Sequence, residues 1–275
     1  MRGIHGALAE IYRRTGRADW AAEAERRERQ AAPLNCAREP RACEFAQGEH
    51  RALIDRVADA STPEALYWKS LAASELAREA FARVEAMPAT PESHAIRAEA
   101  YRIRGLYKLA IDELNAALKL SPGDRELRRL LAQAQWLNGD YEQAQPLLES
   151  LQRELPNDIS VTYQLGDTLL QLQKPDAAIP LLSTAVQLAP EHSGARVALA
   201  RALVRMGEWT QSIPHLEAAL ADDEDGSLHL LLARAYAATG SDIRSGELMQ
   251  KAQALQAAAA ARRAALNEET EITAP

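Results

Sequence analysis

Residues 122–155 read PGDRELRRLLAQAQWLNGDYEQAQPLLESLQREL, and residues 156–189 read PNDISVTYQLGDTLLQLQKPDAAIPLLSTAVQLA. The two segments are equal in length, and each opens on a proline and ends on an apolar stretch. Pro122, Pro156 and Pro190 recur every 34 residues. Proline lacks an N–H and its ring clashes with the preceding turn, so each marks a helix stop. Midway between stops stand Gly105, Gly139, Gln173 and Gly207, the first, second and fourth suited to a left-handed helix end. Two residues further on, Tyr107, Tyr141, Pro175 and Trp209 open a second helix.

The interior of each unit keeps the same step. Small residues recur at Ala98, Ala132, Gly166 and Ala200, and again at Ala110, Ala144, Ala178 and Ser212. Large apolar residues follow at Leu114, Leu148, Leu182 and Leu216. Large and small side chains at fixed offsets let two antiparallel helices interlock at close range. Leu131-Ala132, Leu165-Gly166 and Leu199-Ala200 place a large residue beside a small one, whereas Arg97-Ala98 departs from that pair.

On these residues the chain resembles the tetratricopeptide-repeat (TPR) family, whose signature is a helix–turn–helix of this length. Ala178, Leu182, Ala185 and Pro190 fall on the later signature positions. The resemblance implies an all-α, right-handed superhelical solenoid of stacked hairpins. The register is strict over a core of four repeats, 91–124, 125–158, 159–192 and 193–225. A C-terminal TPR-like unit with a capping helix is expected over 226–266, one residue out of step after Asp222-Asp223-Glu224-Asp225, and a disordered polar tail over 267–275. Leu8-Ala9, Tyr12, Gly16, Ala21 and Pro33 suggest an N-terminal TPR-like unit over 1–35, with a polar and loosely packed second helix. Over 36–90 the register degenerates. Phe45, Gly48, Leu53, Ile54 and Val57 suggest a truncated hairpin, and Pro63 to Met87 reads as one long helix or a tight hairpin.

Composition agrees. The apolar fraction of 47% with only 5% aromatics, dominated by Ala and Leu, favours helix. With 32 Lys plus Arg against 39 Asp plus Glu, the charge of −7 argues against nucleic-acid binding. No run reaches the roughly 18 apolar residues that span a bilayer, and the start lacks a signal-peptide core. A cytoplasmic location is expected of the chain as written, and a periplasmic or secreted one if it is a fragment. The chain enters a helical unit almost at once, as the C-terminal part of a longer protein would. Cys36 and Cys43 leave two readings open, a pair of reduced thiols or a local disulfide.

The resemblance implies a protein-interaction scaffold or adaptor that holds a partner protein or peptide on the wall of first helices. Positions facing that wall are Arg102, Arg129, Gln133, Trp136, Tyr163, Gln164, Asp167, Gln171, Arg201, Arg205 and Arg234. Arginine forks suit carboxylates, and Trp and Tyr supply anchoring area, so a segment with acidic residues and an apolar anchor is expected. Ordinary solvated helix faces would carry many of the same residues. The two-carboxylate clamp of chaperone adaptors is not matched. Arg129, Gln133 and Gln164 stand at its first places, but Gly194 and Ala198 occupy its basic half.

No catalytic residue, cofactor or metal site is expected. His5, His50, His94, His192, His215 and His229 are scattered, without the i, i+4 spacing of a helical metal site, and read as surface or cap residues. There is no phosphate-cradling glycine loop and no nucleophile elbow. The run 222–225 lacks the glycine and final glutamate of a calcium loop and reads as a solvated turn. Two other classes stay open: a structural subunit of a stable assembly, and the repeat part of a larger enzyme such as a glycosyltransferase.

Overall fold

The computed structural model describes residues 4–14, 16–30, 36–38, 40–58 and 61–270. Among them there are fifteen α-helices and no strand. They form two compact units, one ending at Met87 and one spanning Pro88–Thr270.

The second unit is a solenoid of helical hairpins. Its helices are α6 (Pro91–Ile103), α7 (Tyr107–Leu120), α8 (Arg125–Asn138), α9 (Tyr141–Glu154), α10 (Ile159–Gln171), α11 (Pro175–Leu188), α12 (Ser193–Arg205), α13 (Trp209–Ala219), α14 (Ser227–Ala238) and α15 (Asp242–Thr270). The first helices are capped by side chains. Asp124 accepts from the Leu127 N–H at 3.0 Å, Asp158 from Val161 at 2.9 Å, and the His192 ring nitrogen from Ala195 at 3.0 Å. At the hairpin turns Gly105, Gly139, Gly207 and Gly240 all have φ between 69° and 82°. Gln173 holds the same turn at φ 60°, in the left-handed region that favours glycine.

The interlocking positions are buried as a set: Ala98, Ala132 and Ala200 against Ala110, Ala144, Ala178, Leu114, Leu148, Leu182 and Leu216. Each buried leucine contributes roughly 1.5–3 kcal/mol, which is how successive hairpins hold one another. The irregular pair is explained by charge. Arg97, 8% exposed, donates to Glu113 of α7 at 2.9 Å, and His94 lies 2.6 Å from the same carboxylate oxygen. An ion-paired arginine replaces the leucine of later repeats.

A second proline series stands inside the second helices, at Pro146, Pro180 and Pro214. These prolines do not stop their helices. They lie on the exposed side, as do Glu142, Asp176 and Thr210 four residues earlier, so the carbonyl each leaves without a helical donor faces water. The final helix runs further than expected, to Thr270, so the helix includes the first residues of the anticipated tail. Residues 271–275 lie outside the described residues.

In the first unit α1 (Ile4–Arg14) and α2 (Ala18–Gln30) form a hairpin around Ala9, Tyr12, Ala21 and Ala24. Pro33 falls outside the described residues. Next come α3 (Pro40–Ala46) and α4 (His50–Arg56), seven residues each, and the unbroken α5 (Pro63–Glu85). Leu53, Trp68, Ala72 and Ala42 make their core. Cys36 and Cys43 are joined by a disulfide, Cα atoms 5.5 Å apart, tying the preceding turn to α3. Two histidines expected as surface or cap residues lie deeper. His50 is buried beside Phe45, and His215 is half-buried, its Nδ1 buried without a hydrogen-bond partner among the described residues.

Candidate partner-binding groove

Stacking carries side chains of successive first helices onto one wall. Trp136 of α8 donates from Nε1 to Asp167 of α10 at 2.7 Å, and its ring meets Tyr163 edge-on at 5.7 Å. Tyr163 in turn packs on the His192 ring at 4.6 Å. An aromatic row thus runs from α8 through α10 to the cap of α12. Burial, and then Asp167, push the Tyr163 phenol up to about 12, against the lowering effect of the nearby Arg201 guanidinium. The hydroxyl stays neutral and available as a donor at any physiological pH. Gly194 leaves room for it: a Cβ there would lie 3.1 Å from the Tyr163 oxygen.

Beside this row opens a cleft of about 550 Å³. It is lined by Tyr163 and Asp167 of α10 and by Ser193, Gly194, Val197, Ala198 and Arg201 of α12. The loop 222–225 and Ser227 and Leu228 of α14 complete the lining. That loop is only partly a solvated turn. Asp223 is buried, its Oδ2 accepting from the His229 N–H at 2.8 Å and lying 2.6 Å from His229 Nδ1. Asp225 caps α14 by accepting from the Ser227 N–H at 2.9 Å, and its carboxyl is held below the ordinary range by those Ser227 hydrogen bonds. Asp222 and Glu224 are exposed, and their side chains make no hydrogen bond or ion pair among the described residues.

Of the wall residues expected from sequence, Trp136, Tyr163, Asp167, Gln171 and Arg201 come together, with Gln171 donating to Asp167 at 3.2 Å. Gln133 lies one turn before Trp136 on α8 and is half-buried. Gln164 does not belong to an accessible wall: it is 4% exposed, turned inward towards Ser160. Arg102 and Arg129 are forked onto Glu99 and Glu126 of their own helices. Arg205 donates to the Leu170 carbonyl at 2.6 Å and acts as a tie between hairpins. Among the described residues, Arg201 and Arg234 alone of the five wall arginines make no hydrogen bond or ion pair.

Ser193 and Val197 escaped sequence reading, which gives His192 only as a surface or cap residue and 222–225 only as a solvated turn. The one available signal was their place at the start of first helices, next to the wall positions of the preceding repeat.

Among the described residues no three His, Cys, Asp or Glu side chains gather as metal ligands, and no helix is long and apolar enough to cross a membrane.

Known proteins give the same picture of the fold. Two family models described as tetratricopeptide repeat match, one over residues 102–163 and 169–235 and the other over 69–125, together more than half of the chain. The solved structure of MamA MSR-1 superposes with a TM-score of 0.54 at 26% identity, covering 62% of this chain and 98% of that one. MamA from Desulfovibrio magneticus RS-1 gives 0.54 at 21% identity, over 61% and 96%. YrrB, described as a TPR protein with an unusual peptide-binding site, gives 0.51 at 20% identity, over 60% and 85%. A curated relative, bacteriophage adsorption protein A of Escherichia coli (strain K12), is 34% identical over 74 residues, which is 27% of this chain. The match spans only 8% of that relative's length.

Proposed function

The chain belongs to the tetratricopeptide-repeat family, and from that premise we propose that it is a protein-interaction scaffold whose first helices hold a segment of a partner protein. One observation carries the reading. Trp136 of α8, Tyr163 of α10 and His192, the cap of α12, line up beside a cleft that runs on to α14. Aromatic side chains with one polar end are the usual anchors of such contacts. The neighbour described as peptide-binding supports the reading by fold alone. Acidic residues of the partner are read by Arg201 and Arg234, the two wall arginines that the chain does not occupy itself.

Affinity purification from the native host tests this, comparing the wild type with Tyr163→Ala and Arg201→Glu. A partner recovered by the wild type and lost from both variants, with helical content unchanged, is expected. Equal recovery by all three contradicts the proposal.

A further inference from the structure

The last helix is longer than a hairpin needs. α7, α9 and α11 have 14 residues each and α13 has 11, whereas α15 has 29. A second helix of 14 residues starting at Asp242 would end at Leu255. Around and beyond that point α15 keeps a shielded face. Ala252 is buried, Leu255 and Ala259 are half-buried, and the residues between them are exposed. With Arg262 they step by three, four and three residues, the spacing of one helical stripe.

This stripe is fastened to the loop 222–226 at two places. Gly226, buried and at φ 78°, lies against the main chain of α15: a Cβ there would be 2.5 Å from the Ala252 carbonyl oxygen. Ten residues on, about 15 Å along the helix, Arg262 donates to the Glu224 carbonyl at 3.1 Å. The Ser227 hydrogen bonds, and with them the Arg263 guanidinium, hold the Asp225 carboxyl below the ordinary range. Asp223 ties the same loop to α14 by accepting from the His229 N–H. The loop main chain is thus set by two helices.

That loop is also part of the cleft. Asp222, Asp223, Glu224 and Asp225 line it together with Tyr163 and Arg201, whereas Ala252, Arg262 and Arg263 stand outside the lining. We propose that α15 beyond the last hairpin is a clasp that positions one wall of the binding cleft, with Arg262 as a positioning residue and Gly226 as the point where helix and loop meet. The inference rests on the groove reading above and names a control on it, a helix that shapes the cleft without lining it. A loop already fixed loses less freedom when a segment binds, which favours affinity.

Amide hydrogen exchange and peptide binding, both on the full chain, test the clasp. Arg262→Ala should speed exchange of the Ser227 and His229 N–H groups roughly three- to tenfold, with exchange over 125–188 as in the wild type. On an array of random 12-residue peptides, those that lose binding on Tyr163→Ala report the groove. Arg262→Ala should weaken the same peptides by a similar factor, and Arg262→Lys, which keeps a charged donor, should restore part of both effects. Arg262→Ala combined with Arg263→Ala should exceed the single change in both measurements. Unchanged exchange in that double variant, or exchange raised equally over 125–188, overturns the clasp. Faster exchange with the Tyr163-dependent peptides bound as before separates the loop from binding, which overturns the inference and leaves the groove. An array without Tyr163-dependent peptides removes the groove and this inference with it.

Discussion

A methyl group placed on Gly166 of α10 would lie 2.7 Å from Cγ of Leu182 on α11, with the Leu182 main-chain nitrogen at 3.3 Å. The other three repeats carry alanine at this position, so only here have the two helices closed to glycine distance. Gly166→Ala should gain about 1 kcal/mol of helix propensity and lose more through overpacking, about 1–3 kcal/mol. A net loss of stability in urea unfolding is expected. A variant about 1 kcal/mol more stable than the wild type would show that the helices separate without cost.

Gln173 is the one described non-glycine residue with positive φ. That conformation costs an L-residue roughly 1–2 kcal/mol, and glycine returns about 0.5–1 kcal/mol of it through its freer unfolded chain. Gln173→Gly should therefore raise stability by about 0.5–1 kcal/mol, even with the 3.3 Å contact to Arg205 lost. Gly139→Gln should lower it by a similar amount. Thermal melting of both variants checks the pair.

The Glu113 cluster gives the first core hairpin an acid-sensitive joint. Burial raises the Glu113 carboxyl, but the Arg97 guanidinium and the His94 ring outweigh it and hold it below the ordinary range. A carboxyl lowered in the folded state stabilises fully above its unfolded pKa, and that contribution fades as pH falls through the folded value. Glu113→Gln should cost about 1–3 kcal/mol at neutral pH and reduce the slope of stability against pH below 5. An unchanged slope would assign the acid response to other groups.

The short helix α3 is tied to the turn before it. The Cys36–Cys43 disulfide closes a short loop, worth roughly 2–3 kcal/mol on loop entropy. Reduction, or Cys36→Ser with Cys43→Ser, should speed proteolysis within residues 40–58 while leaving the 88–270 unit as resistant as before. Identical digestion of both forms would show that Leu53 and Trp68 suffice.

The ladder of Pro122, Pro156 and Pro190 and the starts at Tyr107, Tyr141, Pro175 and Trp209 were legible because backbone stops and starts are local chemistry. Arginine availability was less so. Glu99 and Glu126 stand three residues before Arg102 and Arg129, a pairing readable from spacing. Arg205 reaches a carbonyl 35 residues back, which no local pattern announces. Gln164 turned inward because Leu165 and Val161 hold the buried face beside it. The acidic loop read as solvent-facing, since its meeting with α12 exists only once two hairpins are stacked. Helix register is written in the chain; which side chains are already occupied is settled by packing.

Site-specific photocrosslinking in the native host addresses the central claim most directly. A photoreactive residue at Ser193, inside the cleft, is compared with one at Pro180 on the exposed side of α11. The groove predicts a discrete crosslinked partner from position 193, absent from position 180 and abolished by Tyr163→Ala. Crosslinks that are equal at both positions, or that survive loss of Tyr163, would contradict it.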